Sequence, residues 1–243
     1  MPTLKIIIQV FFQIAIFSIY SLSRSQTISN QIERFGELQI DLDSISDYNI
    51  VRLDSTQDIK YLSITATNNS LSQDSINLSP FKNLVYLKID GYKLINLKRL
   101  FLMLKNNKKL QVLILNNNCI ESIPSNIQSL KNLTFLDLNW NSISSLPRNL
   151  KKLSSLNTLI LGSYKTTHSP SKLSNKFQDV PKVVLKLKKL NTFIITNNKL
   201  QKINKKMIDK LKKIKHLGIL NGNYFEDPNS IKSELEKYNI EIW

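Results

Sequence analysis

Cysteine is almost missing from this 243-residue chain, since Cys119 stands alone. A disulfide within the chain is therefore excluded. Histidine is nearly as scarce, with only His168 and His216, so a zinc set of three or four ligands at workable spacing cannot be assembled. A cysteine nucleophile needs a neighbouring base, and both histidines are distant from Cys119 in sequence. The patterns GxxxxGK with Ser or Thr, GxGxxG, HExxH and GxSxG do not occur, which removes the common phosphate-binding, metalloprotease and serine-hydrolase chemistries. The sequence therefore reads as non-enzymatic and requires no cofactor. Glycine and proline are also few, at 5 and 7 residues, so asparagine and serine must carry many of the turns.

Acidic residues are outnumbered. Lys and Arg total 34 against 18 Asp and Glu, a formal charge of +16. Such a balance suggests a polyanion or anionic surface as partner, or simply a solvated lysine face. Hydrophobic residues make up 42% and charged residues 21%, an ordinary globular composition that argues against general disorder.

Residues 1–25 read MPTLKIIIQVFFQIAIFSIYSLSRS. Lys5 gives a short positive start, residues 6–20 form an apolar run broken only by Gln9, Gln13 and Ser18, and small polar residues follow. This is the layout of a secretory signal peptide with cleavage near Ser25 and Gln26. The run is short for a membrane span, which needs roughly 20 apolar residues, although an uncleaved N-terminal anchor is the alternative. The expectation is an exported chain, secreted or held at the cell envelope. A cytoplasmic scaffold would require these residues to be something else.

A repeat dominates the rest. From Leu110 the chain reads LQVLILNNNCIESIPSNIQSLKN, and from Leu133 it reads LTFLDLNWNSISSLPRNLKKLSS, a period of 23 residues. Leu113 aligns with Leu136, Leu115 with Leu138, Asn118 with Asn141 and Ile120 with Ile143. The pattern resembles the leucine-rich-repeat family, whose units begin LxxLxLxxNxL, and its IPxxIxxL second half is similar to a 23-residue subclass of that family. Further units open at Phe35, Ile59, Leu84, Leu156, Leu190 and Ile214, about eight in all. The resemblance implies an α/β repeat solenoid, a curved arc with a parallel sheet on the concave side and irregular or helical return segments on the convex side. The residue physics agrees. Alternating leucines share one face of a short strand, an asparagine bonds neighbouring coils, and one unit cannot bury its apolar set alone. Asn118, Asn141 and Asn198 are expected to be structural asparagines.

The spacing from Leu156 to Leu190 is 34 residues, eleven more than the reference period, and the polar stretch at about 165–176 is the expected insertion. Register returns at Phe177. Insertions of this kind map to loops, which either bind or are merely tolerated. The organisation expected is a signal at 1–25, an acidic N-terminal cap and degenerate first repeat at 26–58, repeats at 59–225 and a C-terminal cap at 226–243. In that last segment Asp227 and Pro228 resemble a helix N-cap and first turn.

Register also assigns faces. With the first leucine of a unit as position 1, positions 3, 5, 7 and 8 point to the concave side or its rim. Charged residues there, from Ile59 onward, are only Lys88, Asp90 and Asp137, whereas residues 59–243 hold 30 basic and 11 acidic side chains. The lysines belong on the return segments, for example Lys151, Lys152, Lys186, Lys205, Lys206 and Lys213. The concave side instead offers Tyr61, Tyr86, Val112 and Phe135 in one column, Ile114, Ile160 and Ile194 in the next, and Trp140 at the rim. Exposed aromatic and aliphatic columns suit a protein or peptide ligand. These residues, with Lys88 and Asp137, form the expected partner-binding face. The alternatives are lateral packing with nothing bound, or a weak contact between the lysine back and an anionic envelope. Lysine without interleaved aromatics gives little nucleic-acid readout, so no specific nucleic acid is expected, and the chain is expected to be a monomer.

Overall fold

The computed structural model describes residues 38–41, 60–65, 77–79, 81–91, 95–163 and 174–242. The signal at 1–25, most of the cap at 26–58 and the body of the insertion lie outside the described residues. Nine short strands occur among those described: β1 (Leu38–Asp41), β2 (Tyr61–Thr65), β3 (Tyr86–Asp90), β4 (Val112–Ile114), β5 (Phe135–Asp137), β6 (Thr158–Ile160), β7 (Thr192–Ile194), β8 (His216–Gly218) and β9 (Glu241–Ile242). They pair in sequence order, each parallel to the next, in one open sheet. The sheet lines the concave side of a curved repeat solenoid.

The register is that of the repeat. Leu87, Leu113, Leu136, Leu159, Phe193 and Leu217 are paired strand to strand, and every one of them is fully buried. Two residues further on, Ile89, Leu115, Leu138, Leu161, Ile195 and Ile219 form a second fully buried row. Each such side chain contributes about 1.5–3 kcal/mol on leaving water, and stacking of successive coils joins them in one continuous core.

Three helices return along the convex side: α1 (Leu97–Leu104), α2 (Lys205–Leu211) and α3 (Pro228–Glu236). Each starts with a side-chain cap. Asn96 accepts the Arg99 amide at 3.0 Å, Asn204 the Met207 amide at 2.9 Å and Asp227 the Ser230 amide at 2.9 Å. Such caps satisfy amides that the first turn leaves open, at about 1 kcal/mol each. Between α1 and α2 the return segments shrink to 3-10 turns at Ser125–Ser129, Arg148–Lys152 and Val184–Lys186. Pro124 and Pro147, with φ of −71° and −68°, lead into the first two, because the ring fixes a helix-compatible φ and no amide is lost.

The last strand, β9, was not part of the repeat register. Asn239 turns the chain with φ of +55°, Ile240 is buried, and Ile242 pairs with Leu217. Residues 241–242 thus cover the edge of β8. His216 and Glu241, opposite each other in that pairing, share a hydrogen bond between Nδ1 and Oε2 at 2.7 Å.

Candidate functional site: the concave face

The concave side chains fall into columns because the ladder is parallel and in register. At position 3, Tyr61, Tyr86, Val112 and Phe135 are all half-buried and run as one row across β2 to β5. The Tyr61 and Tyr86 rings lie 6.4 Å apart, tilted by 44°, a favourable edge-biased arrangement. Burial raises the Tyr61 hydroxyl above its ordinary pKa.

The isoleucine column departs from expectation. Ile160 and Ile194 are 0% exposed and Ile114 is 5% exposed, so this column is not an open aliphatic surface. Ile160 faces Ile194 in register, and the inner side of a curved ladder draws such side chains closer than their backbones, which already stand only about 4.8 Å apart. Among the described residues the large hydrophobics that are openly exposed are instead Leu102 and Tyr224, neither of which is on a strand.

Asp137 sits between these isoleucines, paired with Ile114 on one side and Ile160 on the other. Burial pushes its carboxyl up from 3.8 to about 7, and Asp90 adds to the rise. The Asn139 amide, which donates to it at 2.8 Å, and the Lys88 ammonium oppose it. Asp137 is therefore not a fully ionised member of the face at neutral pH. Lys88 pairs with Asp90 at 3.2 Å, and Asn117 donates its side-chain amide to Asp90 at 3.2 Å. Asp90, which register had placed on this face without a role, completes the polar group.

The sign of the Asp137 effect on stability follows from its raised value. Between about pH 4 and pH 7 the folded chain keeps a proton that the unfolded chain releases, so this group's contribution is full at low pH and is lost as pH rises through 7. We expect Asp137→Asn, which keeps an acceptor for Asn139, to be more stable than the parent by about 2 kcal/mol at pH 8, the residue being part-exposed. The gap should close at about pH 4. Urea unfolding midpoints at the two pH values check this, and an equal gap at both would refute it.

In four of the units position 8 takes left-handed backbone, with φ of +78° at Gly91, +59° at Asn117, +50° at Trp140 and +51° at Asn197. Glycine and asparagine take this region readily, whereas a bulky side chain is held there at a cost of about 1–3 kcal/mol. Trp140 is half-buried and its amide donates to Asn139 Oδ1 at 2.8 Å. Cys119, at φ of +55° two residues after Asn117, is a half-buried free thiol in a second left-handed turn position.

Behind the rim runs an asparagine ladder. Asn118, Asn141 and Asn198 are on it, as the repeat implies, and so are Asn175 and Asn223. Asn141 donates to Leu115, Leu138 and Asn139 carbonyls at 2.8, 2.9 and 3.1 Å and accepts the Asn118 and Ile120 amides at 3.0 Å each. Asn175 donates to the Leu138 and Leu161 carbonyls and accepts the Ile143 amide. Asn198 donates to the Leu161 carbonyl and accepts the Phe177 amide. Asn223 accepts the Asn198 and Leu200 amides. Register therefore returns at Asn175, two residues before Phe177, and the eleven extra residues enter between the rim and the ladder. Asn175 lies 23 residues before Asn198, so counting back by one period finds it.

Among the described residues no three His, Cys, Asp or Glu side chains gather as a metal site, and no helix is long and apolar enough to cross a membrane.

The family profile "Leucine Rich repeats (2 copies)" matches residues 108–148. Two solved structures share the fold. A leucine-rich-repeat protein of Leptospira interrogans aligns at 21% identity with a TM-score of 0.51, over 78% of this chain and 49% of that one. An internalin from Listeria monocytogenes aligns at 18% identity with a TM-score of 0.51, over 83% of this chain and 59% of that one. The chain thus spans about half the length of the first neighbour and 59% of the second, and the likeness concerns the fold. No curated protein matches the sequence.

Proposed function

We propose, from its leucine-rich-repeat fold, that the chain is an exported, non-enzymatic recognition protein whose concave face binds a protein or peptide. The repeat fold is consistent with a protein-interaction scaffold; the face and the ligand class are our reading. The observation that carries it is Trp140. At a position where three other coils hold Gly91, Asn117 and Asn197 in left-handed backbone, this unit holds a tryptophan in the same conformation. Strain of this kind persists where the side chain is needed for something other than folding. The strand of the same coil carries Phe135 and a carboxyl whose proton is half-held at neutral pH, a perturbation typical of functional sites. The centre of the contact is placed on Phe135, Trp140 and Tyr86, with Lys88, Asp90 and Asp137 giving polar specificity. The buried isoleucines act as its floor.

Trp140→Asn separates binding from folding. It relieves the backbone, so stability should rise by about 1 kcal/mol, while ligand binding should fall at least about tenfold, as for loss of an interfacial tryptophan. The ligand would be captured from the native source on the immobilised full chain, and its retention compared between parent, Trp140→Asn and Phe135→Ala. Undiminished retention on both variants would sink the concave site.

Export rests on the sequence of residues 1–25. Mass spectrometry of the mature N-terminus from the native source should find a chain beginning near Gln26; one beginning at Met1 or Pro2 would favour an anchored or cytoplasmic protein.

A further inference from the structure

A hollow of about 950 Å³ opens on the convex side between three coils, formed by residues 144–148, 176–183 and 199–207. Its charged lining is Arg148, Lys176, Lys182, Lys199 and Lys202 against a single acid, Asp179, and all six side chains are exposed. Its apolar lining includes Leu146, Val183, Ile203 and Met207, each partly buried against the core.

The cations are arrayed by the repeat itself. Lys176 and Lys199 are one 23-residue period apart, each directly after a ladder asparagine. Their backbones are tied to the preceding coil, Lys176 N–H to the Ile143 carbonyl at 2.7 Å and Lys199 N–H to the Phe177 carbonyl at 2.9 Å. Stacked like charges repel. Among the described residues none of the five cations has an ion-pair partner, the pairs seen being elsewhere. The hollow is thus a preformed cationic rim around an apolar floor, and its lining shares no residue with the concave site.

We propose that this hollow binds an extended acidic polypeptide segment that alternates carboxylate and aliphatic side chains. The rim supplies charge complementarity. The floor selects a polypeptide, because aliphatic side chains gain from covering Leu146, Ile203 and Met207, whereas a polyanion without them gains nothing there. The one aromatic in the lining, Phe177, is only 1% exposed, so nucleic-acid bases have no ring to stack upon.

The test uses the full chain and fluorescein-labelled twelve-residue peptides in about 50 mM salt, where screening is weak. One peptide alternates Glu with Leu, a second alternates Glu with Gly, and a heparin oligosaccharide serves as the third probe. The Glu–Leu peptide should bind at least about tenfold more tightly than the other two, since each buried leucine adds an apolar contribution. Lys182→Glu with Lys199→Glu should weaken it at least about tenfold by reversing two exposed contacts. Lys105→Glu with Lys131→Glu removes the same charge at another lysine-lined hollow and should change binding less than about twofold. Equal weakening by the two variant pairs would reduce the effect to net charge and overturn the site. Equal or tighter binding of the Glu–Gly peptide or heparin would overturn the polypeptide assignment, as would no binding by any probe. Trp140→Asn should leave the Glu–Leu affinity unchanged, so this proposal and the concave reading fail separately.

Discussion

Replacing Asn141 with alanine should cost about 4 kcal/mol of stability, a large share of what a domain of this size has. The side chain is 0% exposed and makes five hydrogen bonds that join its own coil to the preceding one. Its Oδ1 is the acceptor for two amides of the preceding coil, those of Asn118 and Ile120, where the chain turns out of β4. Alanine would leave both amides buried without a partner, at about 1–3 kcal/mol each, and would open a void. Asn141→Asp should be nearly as damaging, because it keeps the acceptor but loses the amide donors to Leu115 and Leu138 and buries a charge. The midpoint of chemical unfolding measures both. A loss under about 1 kcal/mol for the alanine variant would show that water replaces the side chain and that the ladder is not what ties the coils together.

The ladder shows what the sequence makes legible. The apolar rows and the β2 to β8 strands follow from the spacing of leucines, because a short parallel strand needs the same two inward positions in every coil. Asn118, Asn141 and Asn198 follow from the same spacing. Asn223 is harder to find, since it sits one residue late in its unit; Gly222, at φ of +67°, absorbs the extra residue in left-handed backbone. A Cβ there would stand 2.0 Å from Asn197 Oδ1. Side-chain direction was legible and side-chain depth was not. Register points Ile160 and Ile194 toward the concave side, yet whether they are open depends on how strongly the sheet curves and what neighbours them. The same holds for Asp137, whose proton affinity is set by its burial and by the charges near it rather than by its place in the repeat. Trp140 was legible as a large rim residue, while the left-handed backbone beneath it emerges only when Gly91, Asn117 and Asn197 are compared with it coil by coil.

Gly162→Ala should destabilise the chain by about 3 kcal/mol, and for a reason that belongs to the insertion-bearing unit. Positions equivalent to Gly162 carry Asn116 and Asn139 in the two preceding coils, so the repeat itself does not demand glycine there. Between this coil and the next the backbones close in. A Cβ on Gly162 would lie 2.0 Å from the Thr196 carbonyl oxygen, 2.5 Å from its nitrogen and 2.8 Å from its carbonyl carbon. All three are main-chain atoms, which cannot turn aside as the end of a side chain would. They are also held in place: the Thr196 hydroxyl donates to the Ser163 carbonyl, and the Asn197 side-chain amide reaches the same carbonyl at 3.4 Å. Admitting a methyl therefore means separating β6 from β7 at the point where the chain leaves for the extra eleven residues, with overpacking strain and lost hydrogen bonds acting together. Ser163→Ala, which keeps that carbonyl, should cost less than about 1 kcal/mol and controls for substitution at the site. Unfolding midpoints of the two variants decide the matter, and an alanine at 162 that left the midpoint unmoved would mean that the coils flanking the insertion yield to one another rather than lock.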